Sequence, residues 1–565
     1  MQFINNILTI LNFSNKKKLI ILPFFILIIS LLEICSIAII IPLFSFLISE
    51  SSNNSINILG KFDIQFSINF LLIIIFIIFL TKNLFIIFLN NWNLKFSNDF
   101  SLKVSSVLLN NYLYLDYLEF KELKSSELIR NLNQETGLCT KSILSIFNVI
   151  LESCILIFLI VFLFFFQTSI SIIFFSIFLI LSSLYFFVMR KRLKNYGNKR
   201  IETGSLFLKY MMDGIKGFKE IKISNKQNYF IDLFIRYKKI YLKTTRRVSL
   251  INIALRSWVE LVVIIIITFL LLYKNLSNLE PENIIITLTV FGAALFRILP
   301  STGKVIAGLQ IIQNNIPSIN LISKELGIAK SKKNFQKKIN LINFEKLEVM
   351  NLSYNYPNSE KIILKDINCK FLNNKFIGIS GESGSGKTTF IDILIGLIKP
   401  SGGSILVNGN DIKDSIEEWQ NFISYLPQSS FLINDTIKKN IILSDESNTD
   451  DDLKILQAIK IVKLDKLVES MKKGIYSNIN ENGGNLSSGQ IQRINIARSL
   501  YKNSKVLILD EITSNLDKKT ENEILENLKE ISKNRLVILI SHSPNLSNHV
   551  DEQYLVKECS LLKIK

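Results

Sequence analysis

Long apolar runs separated by polar stretches fill the first half of the chain, and short apolar runs punctuated by Gly, Ser and Asn fill the second. Six runs in the first half come near or exceed the roughly 20 residues a helix needs to cross the hydrocarbon core of a bilayer. They are Leu19–Ile48, Phe70–Leu89, Ser142–Phe166, Ile170–Met189, Val248–Tyr273 and Ile284–Ile312. Ile155–Phe166 carries no charge, whereas a surface helix of a soluble bundle keeps one polar face. The connections after the second and fourth runs are long, polar and still periodic. Tyr112–Leu132 and Leu206–Ile223 repeat apolar residues at helical spacing. This predicts membrane helices that continue into the cytoplasm and are joined there by short crossing helices near Tyr114–Leu123 and Met211–Lys219.

From about Phe344 the pattern changes. A short strand is expected at Phe376–Ser380, then a glycine loop, a helix at Thr388–Ile398, and further strands at Val506–Leu509 and Leu536–Ile540. Strands alternating with helices predict an α/β domain. The expected fold is a multidomain membrane protein: an all-α six-helix transmembrane domain over 1–325, a linker over 326–343 built around the basic stretch Lys330–Lys338, and an α/β P-loop NTPase domain over 344–565.

Composition sharpens this picture. Hydrophobic residues make up 48% of the 565 residues, with 41 Phe and a formal net charge of +19. Mean hydropathy is +0.32. The charge does not point to nucleic acid, because the aromatics lie inside apolar runs and are not interleaved with basic residues as a base-stacking surface requires. It follows the positive-inside rule instead. Lys16, Lys17 and Lys18 precede the first run, Arg190, Lys191, Arg192 and Lys194 follow the fourth, and Arg246 and Arg247 precede the fifth. The loops near Asn53, Gln167 and Asn275 carry few basic residues. The N-terminus and everything after the last run are therefore expected in the cytoplasm. The first run is too long, and lacks the small-residue cleavage site, for a signal peptide. Five scattered cysteines (Cys35, Cys139, Cys154, Cys369, Cys559) form no CxxC pair, and two histidines do not make a zinc site.

Gly381-Glu-Ser-Gly-Ser-Gly386-Lys387-Thr388 fits GxxxxGK[ST] between an expected strand and helix. Backbone N–H groups of Gly381, Ser383, Gly384 and Gly386 close around phosphates, and the helix N-terminus through Thr389 adds its dipole. Lys387 is a cation for the β- and γ-phosphates, and Thr388 a hydroxyl for Mg²⁺. Val506-Leu-Ile-Leu-Asp510-Glu511 ends an apolar strand in two acids at the carboxyl edge of a sheet, where α/β proteins bind ligands. Asp510 is expected to hold Mg²⁺ and Glu511 to orient and deprotonate the attacking water.

The order of these motifs resembles the ATPase of ABC (ATP-binding-cassette) transporters across the whole second half, and the domain order resembles an exporter-type half-transporter of the type IV fold. The resemblance implies ATP and Mg²⁺ as ligands and a homodimer as the working unit. It implies that Tyr356, in Leu-Ser-Tyr-Asn-Tyr, stacks on adenine, and that Gln428, in Tyr-Leu-Pro-Gln, reaches Mg²⁺ and senses the membrane domain. Leu486-Ser487-Ser488-Gly489-Gln490 resembles the signature motif, whose Ser487, Gly489 and Gln490 cap the γ-phosphate of ATP held by the other subunit. Ser488 stands where the family usually has Gly, which implies an active but slower site. Asn485 and Glu481 resemble the loop that touches the crossing helices, Ser514-Asn515-Leu516-Asp517 the dimer-contact loop, and His542, at the end of Leu536–Ile540, the switch histidine. His549 has no such context.

Charges inside the apolar runs are the substrate clues. Glu33, Lys82, Glu152, Arg256, Glu260 and Arg297 fall there. Glu33, Arg256, Glu260 and Arg297 are candidate substrate residues, with mutual pairing between helices as the alternative. Ile-Ser-Leu-Leu-Glu33, Ala294-Leu-Phe-Arg297-Ile-Leu-Pro300-Ser301 and Phe218-Lys-Glu-Ile-Lys222 resemble the flippases of lipid-linked oligosaccharides in bacterial N-glycosylation. That resemblance implies an undecaprenyl-pyrophosphate glycan or related glycolipid, moved across the bacterial inner membrane, with Arg297 meeting the pyrophosphate. Export of other lipids, drugs or peptides, and an ATP-driven regulator that transports nothing, are the other readings.

Overall fold

In the computed structural model the described residues are 2–11, 16–38, 55–58, 62–65, 68–166, 168–275, 281–330, 344–357, 359–428, 431–444, 449–480, 483–512, 518–541 and 546–565. The chain divides into two compact units. One is Met1–Leu115 with Glu119–Lys333, and the other is Asp116–Leu118 with Asn334–Lys565.

The first unit is helical. After α1 (Gln2–Leu11) and α2 (Lys16–Ala38), a small antiparallel hairpin, β1 (Ser55–Ile58) and β2 (Phe62–Gln65), pairs Ile56 with Ile64. The apolar-polar alternation of Ser-Ile-Asn-Ile and Phe-Asp-Ile-Gln is its local signal, which a search for long apolar runs passes over. Four long helices follow the same plan, each far longer than a bilayer demands. These are α3 (Ile68–Leu113, 46 residues), α7 (Thr168–Lys216, 49), α9 (Gln227–Asn275, 49) and α10 (Pro281–Lys330, 50). At 1.5 Å per residue the longest is about 75 Å. These helices continue well past their apolar runs, as the periodicity of the connections predicted.

Short helices α4 (Tyr117–Glu122) and α5 (Ser125–Arg130) and a π-helical turn at Asn131–Glu135 lead into α6 (Thr136–Phe166). The second short connector, α8, is Phe218–Ile223. This corrects the expected Met211–Lys219, since Met211–Lys216 still belongs to α7 and the break comes at Gly217.

From Ile155 onward helix α6 is apolar on every side. Ile155, Leu159 and Leu163, four residues apart, are 1%, 0% and 0% exposed, while Phe165 on another face is 84% exposed. A helix in water keeps one face polar, so this pattern suits an apolar surround. Among the described residues, Leu72–Leu113 and Ser125–Phe165 are the stretches long and apolar enough, by length and composition, to cross a membrane. The other expected runs include positions outside the described residues or side chains.

The second unit holds two sheets. A four-stranded antiparallel sheet has the order β4-β3-β6-β7, with β3 (Lys346–Asn355), β4 (Ile362–Leu372), β6 (Gly402–Val407) and β7 (Asn410–Asp411). The other sheet has the order β12-β11-β5-β10-β9-β8. Its strands are β5 (Phe376–Gly381), β8 (Ile423–Leu426), β9 (Val506–Asp510), β10 (Leu536–Ile540), β11 (Glu552–Lys557) and the antiparallel edge β12 (Ser560–Lys563). Strands β9 and β10 are fully buried and read as continuous apolar runs, as central parallel strands do. The antiparallel sheet was not expected from the strand-helix alternation. The register Ile540 to Asp510 and Ile540 to Ile379 brings the carboxyl ends of β5, β9 and β10 to one edge.

Candidate functional site

At that edge β5 runs into the glycine loop and then into α11 (Lys387–Leu394). Gly386 has φ +103° and Gly381 φ +153°. A side chain at Gly381 would put Cβ 2.6 Å from the Val556 carbonyl oxygen, so the loop cannot take this path with any other residue there. Lys387 is buried, and its Nζ donates to the carbonyls of Gly381 (2.9 Å) and Glu382 (2.8 Å). Burial lowers its pKa, against the opposing pull of the Glu511 and Asp510 carboxylates. Ser383, Gly384 and Thr388 are exposed around it, and Thr389 is buried.

Asp510 is 3% exposed. Burial, reinforced by the Glu511 charge, pushes its pKa up to about 6, with Lys387 and a hydrogen bond from Tyr425 acting the other way. A buried carboxyl with a raised pKa beside a second carboxylate is the arrangement a divalent cation relieves. Glu511, the next residue, has φ +51°. Its backbone N–H donates to the Ile540 carbonyl at 3.0 Å, so the chain leaves β9 in the left-handed region while still tied to β10. This turn re-aims the Glu511 carboxylate, which accepts a 2.6 Å hydrogen bond from Gln428 Nε2.

Tyr356 and Thr389 share a 3.1 Å hydrogen bond between their hydroxyls, and Tyr354 packs edge-on against the Tyr356 ring at 5.2 Å. The Tyr356 ring is thereby positioned over the start of α11. Ser487 caps α16 (Ser488–Tyr501; α12 to α15 are Ile416–Phe422, Ile437–Ile442, Thr449–Ile461 and Asp465–Ser470). Gln490 N donates to Ser487 Oγ at 3.2 Å, and Ser487 N to Gln490 Oε1 at 2.8 Å, which is a capping box. Two signature residues therefore have a structural task within their own chain. Asn485 Oδ1 accepts from Asn480 N at 3.0 Å.

His542, Glu481 and Ser514–Asp517 lie outside the described residues. Motif order alone did not single out Tyr425 as a site residue. It stands three residues before Gln428, on β8, and only the sheet order places its hydroxyl at Asp510.

In the helical unit, two of the four candidate substrate residues meet. Arg297 on α10 pairs through Nε with Glu33 on α2, and its Nη2 lies 3.6 Å from Glu152 Oε2 on α6. Lys82 on α3 is 3.1 Å from Glu33, and Lys304 on α10 is 2.6 Å from Glu152. Glu33 and Glu152 are buried. Three cations thus surround two carboxylates, and Lys304, which lies within Ile284–Ile312, is a member that was not among the charges singled out there. Glu260 is exposed on α9 and has an interaction of its own. The Arg256 side chain lies outside the described ones.

Comparison with known proteins agrees with this geometry. The family described as ABC transporter matches residues 364–514. An export ATP-binding/permease protein of Rickettsia bellii is 28% identical over 466 residues, covering 79% of this chain and 78% of the relative. A nisin transport ATP-binding protein of Lactococcus lactis is 31% identical, covering 63% of this chain and 60% of the relative. Among solved structures, a bacterial Atm1-family ABC exporter with ATP bound superposes with a TM-score of 0.79 at 17% identity, covering 97% of this chain and 94% of the other. The fold is that of an ABC exporter, with a transmembrane-type helical domain and an ABC nucleotide-binding domain. That ATPase domain implies ATP binding, the exporter fold generally functions as a dimer of such halves, and its relatives are membrane proteins.

Proposed function

We propose that this chain is an ABC ATP-binding/permease protein, an ATPase coupled to export, and one half of a homodimeric flippase for a lipid-linked oligosaccharide or related glycolipid in a bacterial inner membrane. On this reading the N-terminus and the ATPase domain are cytoplasmic, with the membrane domain over 1–325 and the ATPase over 344–565.

The ATPase step is assigned to groups at the carboxyl edge of β5, β9 and β10 and to the signature residues of a second copy. Lys387 exchanges its bonds to the Gly381 and Glu382 carbonyls for the β- and γ-phosphates, which satisfy the buried ammonium better than two neutral acceptors. The N–H groups of Gly381, Ser383, Gly384 and Gly386, with Thr389 in the first turn, hold the phosphates, and Tyr356 stacks on adenine. Thr388, Gln428 and Asp510 form a hard oxygen set that suits Mg²⁺, which when bound neutralises phosphate charge. Glu511 orients the attacking water and takes its proton, and His542 contacts the γ-phosphate. Ser487, Gly489 and Gln490 of the second copy cap the same phosphate. Contacts made only in the closed dimer favour closure with ATP, and loss of the γ-phosphate releases it.

One observation carries the choice of substrate: the buried Glu33–Arg297–Glu152 cluster with its formal excess of positive charge. An anionic pyrophosphate is the kind of group that such an excess accepts. The second reading, export of peptides or drugs, is favoured by the similarity to a nisin transport protein. The test is ATPase activity and flipping in liposomes with defined polyprenyl-pyrophosphate glycans beside a peptide panel, using Glu511→Gln as the blank. Stimulation by glycolipid that is lost in the blank supports flipping. Stimulation by peptides alone moves the protein to the second reading, and an ATPase indifferent to both marks a regulator.

A further inference from the structure

The helical unit contains a cavity of about 250 Å³ between α6, α7, α9 and α10, which neither the ATPase reaction nor the charged cluster uses. Lys141 of α6, Tyr196 and Arg200 of α7, Tyr241 of α9, and Gln310 and Asn314 of α10 line it. Its wall depends on Gly197, since a Cβ there would lie 2.2 Å from the Asn314 carbonyl oxygen, so α7 and α10 touch backbone to backbone.

The lining offers donors without acidic partners of its own. Gln310 is 1% exposed, and its amide oxygen has no hydrogen-bond partner among the described residues; its amide nitrogen faces the Tyr185 hydroxyl, which itself donates to the Ile251 carbonyl at 2.8 Å. Arg200 Nε and Asn314 Oδ1 are likewise buried without a partner. The Arg200 Nη groups are taken by Asn315 (2.9 Å) and Ser318 (2.8 Å), with Glu135 3.8 Å away. No carboxylate lines the cavity. Lys141 is exposed and makes no ion pair among the described residues. Arg247 stands over the Tyr196 ring, 5.9 Å from its centre, and adds a second cation.

A polar cavity with buried polar atoms lacking partners and the unpaired Lys141 ammonium at its wall is built for a polar anion. Its position narrows the class. Lys141 directly precedes the apolar run Ser142–Phe166, Tyr196 follows Ile170–Met189, and Gln310 ends Ile284–Ile312, so on the span reading above the cavity lies at the cytoplasmic headgroup level.

We propose that this cavity binds a small phosphate-bearing polar molecule, either a soluble phosphorylated compound or the headgroup of an anionic phospholipid, and braces four helices where they leave the bilayer. The cavity itself rests on side-chain geometry within one unit and not on the identity of the transported substrate.

The test uses the full-length chain. In detergent, glycerol 3-phosphate is titrated against thermal unfolding, with glycerol as the neutral twin. Because the glycine loop also accepts phosphate, the readout is the difference between the parent and Lys141→Gln. The expected result is a saturable rise in midpoint with glycerol 3-phosphate alone, requiring about ten-fold more ligand in Lys141→Gln and restored by Lys141→Arg. Ser249→Trp, which fills the cavity while keeping Lys141, is expected to abolish it. The same pattern found only in nanodiscs of phosphatidylglycerol, against phosphatidylcholine, assigns the site to lipid headgroups. Identical responses of parent, Lys141→Gln and Ser249→Trp to both probes overturn the proposal.

Discussion

Gln428 Nε2 donates a 2.6 Å hydrogen bond to Glu511 Oε2, joining the loop after β8 to the turn after β9. The amide holds the carboxylate aimed, as a general base requires. Glu511→Gln is expected to lower ATP turnover by about 10²–10⁴-fold while nucleotide still binds. Gln428→Glu should lower turnover more than Gln428→Ala, because it sets two carboxylates face to face. Steady-state ATPase rates and fluorescent-nucleotide binding check both orderings.

Glu511 sits at φ +51°, where a β-carbon costs roughly 1–2 kcal/mol. The strain is the price of turning the carboxylate out of the sheet. A β-branched residue tolerates this region least, so Glu511→Val should be less stable than Glu511→Gly by about 1–2 kcal/mol, although both lose hydrolysis. Denaturant unfolding of the two variants measures the gap.

Asp510 has a raised pKa of about 6, first from burial and then from the Glu511 charge. In the folded chain it holds a proton that the unfolded chain has already released between about pH 4 and pH 6. Stability from this group is therefore present below that window and lost as pH rises through it. Asp510→Asn should raise the unfolding midpoint at pH 7.5, with the gain shrinking as pH falls from 6 toward 4. Conversely, Mg²⁺-dependent ATP binding should weaken below pH 6 in the parent, since the cation needs the ionised carboxylate. Calorimetric scans and binding isotherms across pH test the two signs.

Arg297 is the centre of the membrane-level cluster, between Glu33 and Glu152. Removing it leaves each buried carboxylate with one remaining cation, Lys82 for Glu33 and Lys304 for Glu152, so Arg297→Met should destabilise the chain by about 1–3 kcal/mol. Glu33→Gln combined with Arg297→Met should recover part of that loss, a coupling that additive effects forbid. If the double variant unfolds like the sum of the singles, the pair is not coupled. Unfolding in detergent supplies the numbers.

Ser488 is exposed at the first turn of α16, one residue after the N-cap Ser487 and inside the capping box. Ser488→Gly leaves the Ser487–Gln490 bonds intact and removes a side chain beside the phosphate-facing turn. Turnover is expected to rise a few-fold with the unfolding midpoint nearly unchanged. Unchanged turnover would show that this position does not limit the rate.

The sequence by itself determined what local patterns can determine. Continuous apolar runs marked long helices, because a run of that length and apolarity reads as helix without reference to partners. The glycine loop needs the positive φ of Gly386, and Asp510-Glu511 had to end a buried strand, so these residues were legible from spacing and residue type. The reach of the helices beyond the apolar runs was legible from periodicity, though the connector at Phe218–Ile223 came later than expected because α7 keeps its backbone bonds up to Gly217. Tertiary structure alone decided which groups meet. Tyr425 reaches Asp510 because β8 lies beside β9, Glu33 meets Arg297 across 264 positions of chain, and Gln310 opens into a cavity because Gly197 lets two helices touch. Such encounters depend on strand order and helix crossing, which are set by packing over long separations, and no local pattern encodes them.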